Sequence, residues 1–254
     1  MRHQAGVVDH HIDTAERFYR AVDEPLHLRP VGHVSGQSER FAALPHNLVD
    51  QRLKTINPPS TEHARAHVTE PRVTFEVDDA QAMSVVSASF DAALSGLVLN
   101  FIPKPMLAVQ EMVRAVRPAG LVTAYVWDFA SKMELMRYFW DAAVALDPAA
   151  VELDEGRRFQ LCQPAALSAL SSEGGLRDVQ TRGIEVPTRF RDFDDYWSPF
   201  LGGQAPAPGY EMSLSEERRG ALRERIRADL PVAADGSISL IARAWAVRSW
   251  KVKA

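Results

Sequence analysis

The stretch FDAALSGLVLNFIPKP, residues 90–105, decides the fold. From Phe90 to Leu99 it is almost continuously apolar, the pattern of a strand covered on both sides, and Asn100 then marks the exit into a loop. Upstream, PRVTFEV (71–77) is a shorter β-branched and aromatic run, followed by the acidic turn DDAQ (78–81). Downstream, PMLAVQEMVRAVRP (105–118) places Met106, Val109, Val113 and Val116 on one helical face, and GLVTAYVW (120–127) is a strand too apolar to have a wet side. The order is strand, strand, helix, strand. Apolar strands separated by amphipathic helices argue for an α/β protein with a parallel sheet covered on both faces.

The second half continues in this style. SKMELMRYFWDAAVAL (131–146) predicts a helix capped by Ser131, with Met133, Met136, Trp140 and Val144 on its stripe. Pro164 opens a further helix that Gly174 and Gly175 close, and DVQTRGIEV (178–186) reads as a strand. Ser213 and Glu216 stand at capping-box spacing before a stripe of Leu222, Ile226 and Leu230. An Asp235-Gly236 turn feeds a last long strand with Leu240, Ala242, Ala244 and Ala246 on one face.

Composition narrows the function classes. The chain has 254 residues, 46% of them hydrophobic and 24% charged, with a formal net charge of −4. That is enough chain for one substantial core, and the charge gives no reason to expect nucleic acid. Cys162 is the single cysteine, which excludes an intramolecular disulfide or a CxxC motif and reads as a small buried thiol. No apolar run reaches the roughly 18–20 residues that span a bilayer, and MRHQAGVVDHH lacks the apolar stretch of a signal peptide. A cytoplasmic protein with no membrane partner is expected. All eight histidines lie between His3 and His67. Of these only His63 and His67 have ligand spacing; with no third ligand placed they read as solvent-facing helix residues, and no metal is expected. Residues 1–55 carry no sustained period and form a divergent N-terminal segment ahead of a domain at 56–254.

Three pieces in order, DDAQ, FDAALS and EMVRAVRPAG, resemble class I S-adenosylmethionine-dependent methyltransferases, in particular the methyltransferase type 11 group. The resemblance runs from about residue 56 to the C-terminus and includes DFDDYWSPFLGGQAPAP and DGSISLIARAWAVR. It implies a Rossmann-like, doubly wound, mostly parallel sheet with an antiparallel C-terminal strand, S-adenosyl-L-methionine as cofactor and a small-molecule methyl acceptor. It also implies that Asp79 and Ala80 meet the adenine ring, and that Ser95, Gly96 and Leu97 lie under the sulfonium and methionine portion. Asn57 stands where the family has an acid for the ribose hydroxyls. Asn100, Phe101, Trp127 and Trp197 fall on the acceptor side, and no catalytic base is identified.

The residues alone leave a second reading open at several positions. Asp78 and Asp79 also suit a plain polar turn, and Asn100 a turn residue bonding its own backbone. Asp128 suits a pocket or a helix cap, and the aromatics of YWSPF (196–200) a lid or an ordinary packing stripe. In RPAG (117–120) Ala119 replaces a glycine of the family's turn, a change expected to cost little.

One departure is large. The family's glycine-rich turn after the first strand is missing, because Gly32 and Gly36 have neither its spacing nor an apolar strand before them. Two accounts follow. Either the N-terminal half has been replaced, leaving a non-catalytic binding protein on a degenerate methyltransferase sheet as the alternative function, or the reading frame shifted upstream of about residue 56.

Overall fold

The computed structural model describes residues 76–202 and 205–253. The segment 1–55, Asn57, the histidines and most of the strand expected at 71–77 lie outside these residues. The described chain begins with a turn-rich segment and enters β1 (Phe90–Gly96), then α1 (Pro105–Ala115), β2 (Val116–Trp127) and α2 (Glu134–Leu146). A short α3 (Glu155–Arg158), α4 (Pro164–Glu173) and the long β3 (Leu176–Phe190) follow. Then come α5 (Phe193–Trp197), α6 (Pro206–Ser213), α7 (Glu216–Asp229) and β4 (Ile238–Lys251).

The four described strands form one sheet in the order β1-β2-β4-β3. β1 and β2 are parallel, and β4 runs antiparallel to both β2 and β3, so β1, β2 and β3 share one direction and the last strand is reversed between two of them. The described sheet is therefore mixed, with one parallel and two antiparallel pairings. The α/β class and the antiparallel C-terminal strand are as the sequence predicts, whereas a mostly parallel sheet is not what these four strands form, because β4 inserts between β2 and β3. The reason β2 and β4 carry so little polar surface is their central position. Where they do carry it, the hydroxyls are paired across the strands, Thr123 Oγ1 to the Val247 carbonyl at 2.8 Å and Ser249 Oγ to the Val122 carbonyl at 3.0 Å.

Two large apolar clusters flank the described sheet, and a small third one gathers Tyr125, Ala244 and Ala246. On one face Val122, Ala124, Val126 and Val247 meet Ala108, Val109 and Met112 of α1 and Leu167 and Leu170 of α4. The second cluster joins Phe190, Ile238 and Leu240 at the ends of β3 and β4 to aromatic side chains of α2, α5 and α6 and to Leu222 and Ile226 of α7. Phe139 and Phe200 stack there with centroids 4.5 Å apart. Burying such rings removes large apolar areas from water, roughly 2–3 kcal/mol each, which explains why these helices hold together despite little regular sequence signal.

Several local expectations are corrected. The first strand stops at Gly96, and Leu99–Phe101 forms a 3-10 turn. Val116 leaves the helix for the strand, pairing with Phe90. Ser131 does not cap α2, whose N-cap is Met133, because its amide and hydroxyl are bound to the Asp128 carboxylate. The cap of α7 is Ser215, accepting from the Arg218 amide, whereas Ser213 ends the preceding helix. β3 extends through Pro187 to Phe190, which is tolerated because β3 is an edge of the described sheet and lacks a partner there on its second side.

The turn at RPAG departs from expectation in energy. The register between β1 and β2 jumps from Phe90↔Val116 to Ala92↔Leu121, and in the extra residues Ala119 has φ 63°. A Cβ disfavours this left-handed conformation, so alanine here carries strain rather than costing little. Ala119→Gly is expected to stabilise the protein by roughly 0.5–1 kcal/mol, raising Tm by about 2 °C in a thermal melt. A fall in Tm would show that the turn does not adopt this conformation.

Candidate functional site at the C-terminal ends of the parallel strands

In open α/β sheets the crevice beyond the carboxyl ends of parallel strands is where ligands bind, and here that edge is built by the exits of β1 and β2. β1 leaves the sheet through Leu97, a non-glycine residue with φ 58°, held by its amide to the Tyr125 carbonyl at 2.8 Å. Such backbone strain is stored where the surroundings enforce it. Gly96 pairs with Tyr125 in register, and a Cβ at Gly96 would stand 2.6 Å from the Tyr125 hydroxyl. The close approach that glycine permits is therefore taken up by the Tyr125 ring. Ser95 pairs with Ala124 and faces the opposite side of the sheet from Gly96.

The acidic turn sits beside this exit. Asp78 is consumed in closing its own loop, accepting from the amide and hydroxyl of Ser84. Asp79 Oδ1 accepts from the Gln81 amide at 2.8 Å, the polar-turn geometry, while its side chain stays exposed to the outside. Gln81 in turn accepts from the Lys104 amide at 3.1 Å, which ties the turn to the loop that follows Asn100 and Phe101. Ala80 packs on the same core as Leu99 and Ile102. Farther along, Glu111 accepts from the Met83 amide, and Arg114 donates to Glu111 and to the carbonyls of Met83 and Val85. The Arg114 guanidinium holds the Glu111 carboxyl below its ordinary pKa.

On the other side of the exit, residues from three elements converge. Leu99 and Ile102 anchor the 3-10 turn in the core, 2% and 6% exposed, and the half-buried Asn100 and Phe101 lie between them. Phe101 meets Phe159 edge to face at 5.1 Å, and Phe159 meets Phe129 at 5.8 Å. Asn100 Nδ2 donates to Cys162 Sγ at 3.7 Å. Cys162 is fully buried, and that burial pushes its thiol up to about 11, so it stays protonated at neutral pH. Gly156 is pressed against the loop after β2, where a Cβ would meet the Phe129 carbonyl at 2.6 Å, so the segment 155–162 is docked onto that loop.

Asp128 neither opens to a pocket nor caps α2. It is 1% exposed, and its carboxylate accepts from Arg243 Nε at 2.7 Å and from the Ser131 amide and hydroxyl. Trp127 pairs in register with Ala244 and packs beside Tyr125. Trp197 lies elsewhere, 2% exposed among Phe139, Phe193 and Phe200, in the arrangement that a packing stripe requires. The structure thus brings Asp79, Ala80, Asn100 and Phe101 to one end of β1 and leaves Trp197 in the aromatic core. Phe129, Phe159 and Cys162 join the site without having been singled out for it, since nothing in their spacing signals the convergence. Among the described residues no group of three or more His, Cys, Asp or Glu could hold a metal ion, and no helix is long and apolar enough to cross a membrane.

Residues 36–124 match the family model described as a methyltransferase domain, a match that begins inside the segment set apart at 1–55. Over 92 residues the chain is 32% identical to 2-methyl-6-phytyl-1,4-hydroquinone methyltransferase of Synechocystis sp., covering 35% of this chain and 29% of the relative. The chain therefore spans less than a third of the length of the curated relative it matches. Among solved structures, the YcgJ protein of Bacillus subtilis is similar at 17% identity and a TM-score of 0.45, over 77% of each chain. Phosphoethanolamine N-methyltransferase 2 of Haemonchus contortus, solved with S-adenosyl-L-methionine, is similar at 15% identity and a TM-score of 0.40, over 76% of this chain and 40% of that one.

Proposed function

We propose that this chain, whose residues 36–124 match a methyltransferase domain, is a class I S-adenosylmethionine-dependent methyltransferase that transfers a methyl group from S-adenosyl-L-methionine to a small-molecule acceptor. The observation that carries the reading is the family match together with what lies inside it, a strand exit flanked by an acidic turn on one side and an aromatic cluster on the other. The relative of Synechocystis, named for its action on a hydroquinone, supports an acceptor that is small and organic.

In this reading Asp79 and Ala80 hold the adenine. A carboxylate oxygen accepts from the exocyclic amine, and the backbone offers a donor to the ring nitrogen. Asp79 Oδ1 is used by Gln81, which orients the group and leaves Oδ2 for the amine. At the exit of β1 the backbone of Gly96 and Leu97 lies under the methionine portion, with Ser95 supporting it from the opposite face of the strand, and Asn100, Phe101 and Trp127 position the acceptor. The cofactor supplies an electrophilic methyl group, whose bond to sulfur breaks with its electron pair as the acceptor's lone pair forms the new bond. An acceptor proton then leaves to water. Because the leaving group is built into the donor, the protein's contribution is alignment and exclusion of solvent.

Titration calorimetry with S-adenosylhomocysteine tests this directly. Micromolar binding is expected, and Asp79→Ala should weaken it about tenfold, the worth of one hydrogen bond to a charged group. Absence of heat with folded protein favours the non-catalytic binding alternative. Unchanged affinity in Asp79→Ala means the adenine lies elsewhere.

A further inference from the structure

The Asn100 side chain has one half committed and the other unmatched. Its nitrogen is held by Cys162 Sγ, while Oδ1 is a buried acceptor with no hydrogen-bond partner. Buried polar atoms are nearly always paired, and one that is not invites an explanation, a missing ligand donor among them. Asn100 is the chain neighbour of Phe101, and the Cys162 that holds its amide also receives the backbone amide of Phe129. The Phe101 and Phe129 rings both meet Phe159, so the exit of β1, the loop after β2 and the segment after α3 bring an aromatic cluster to this part of the fold. Two anchors keep it from relaxing. Leu99 and Ile102 fix the turn in the core, and Cys162 is itself fully buried.

Resting on the methyltransferase reading, we infer that Asn100 selects the acceptor: its Oδ1 accepts a hydrogen bond from a neutral O–H or N–H group borne by a planar, apolar body that lies against the Phe101, Phe129 and Phe159 rings. The carbonyl lone pairs repel a carboxylate or phosphate in the same place, so anionic head groups are excluded. The aromatic edges favour a flat ring over a flexible chain. Since Cys162 remains a thiol at neutral pH, its role is to hold the amide in this orientation rather than to react.

The test compares p-cresol with 4-methylanisole, two probes of one shape of which only the first donates a hydrogen bond. Binding to the full chain saturated with S-adenosylhomocysteine is followed by the quenching of tryptophan fluorescence. Wild-type protein should bind p-cresol at least tenfold more tightly, and Asn100→Leu should reduce the ratio to about one while leaving the affinity for S-adenosylhomocysteine within twofold. Cys162→Ala, which frees the amide, should also lower the ratio, and Cys162→Ser should keep it. A circular dichroism melt confirms that each variant is folded. A ratio below twofold in wild type, a preference for 4-methylanisole, or no saturable binding of either probe overturns the inference. Failure of S-adenosylhomocysteine to bind at all instead overturns the reading on which it rests.

Discussion

Arg243→Met is expected to lower the unfolding free energy by about 3–5 kcal/mol, because it leaves the Asp128 carboxylate buried without its cation. Asp128 is 1% exposed and receives two contacts from one guanidinium, Arg243 Nε at 2.7 Å and a second nitrogen at 2.6 Å. The same guanidinium donates to the Ser131 hydroxyl at 2.8 Å and lies 4.5 Å from the Trp245 ring centroid. The backbone pairing runs alongside, with the Asp128 amide donating to the Arg243 carbonyl and the Arg243 amide to that of Lys132. The network therefore clips the loop after β2, which follows Trp127 and carries Phe129, onto β4. Asp128→Asn should cost less, since an amide can still bond to Ser131 and carries no charge to strand. Combining the two changes should recover part of the loss seen in Arg243→Met alone. Urea denaturation measures all three, and a loss under about 1 kcal/mol for Arg243→Met would place this pair among the weak surface bridges.

The parts of this architecture visible in the sequence are those set by local pattern. β2 and β4 are long apolar runs, and α4 begins at a proline and closes at paired glycines, so each could be placed from spacing alone. The errors fall where a distant partner decides. Ser131 has the composition of a cap, yet a carboxylate three residues back and an arginine from β4 claim it. Val116 fits the helical stripe, but pairing with Phe90 draws it into the strand. Two serines stand within reach of the start of α7, and which of them caps it depends on where α6 stops, a matter of packing. The site shows the same division. Asp79 and Asn100 lie in recognisable positions of a linear motif, whereas Phe129, Phe159 and Cys162 become neighbours only when the segment 155–162 folds back over the loop after β2. The orphaned oxygen of Asn100 is a property of that three-dimensional enclosure, so no spacing rule could have exposed it.

That returning segment also carries the second large effect, a fall in stability as pH rises from 4.5 to about 7. Glu155 is 4% exposed at the start of α3 and accepts from the indole Nε1 of the fully buried Trp140. Desolvation raises its carboxyl from 4.5 to about 7, against smaller opposing effects of its hydrogen bonds and of Arg158, with neighbouring Asp154 adding to the rise. Arg137 is engaged by Asp154 at 2.8 Å and is not free to neutralise it. Below pH 4.5 Glu155 is protonated in both folded and unfolded chains and contributes no difference. Between 4.5 and about 7 the folded protein holds a proton that the unfolded chain has released, so stability declines with each step in pH, and above 7 the full penalty stands, on the order of 3 kcal/mol. The lowered carboxyls of Glu111, Asp195 and Asp235 act in the opposite sense and at lower pH, where their stabilisation is lost as pH falls toward their depressed values, so the two trends are separable. Glu155→Gln keeps an oxygen to receive the indole and removes the charge. It should flatten the profile between pH 5 and 8 and exceed wild type in stability at pH 8 by about 2 kcal/mol, after allowance for the new unpaired amide nitrogen. Urea titrations at pH 5, 6, 7 and 8 read this out. An unchanged slope in Glu155→Gln would mean that the carboxyl reaches water, and that α3 does not seal the wall on which Phe159 and Cys162 are mounted.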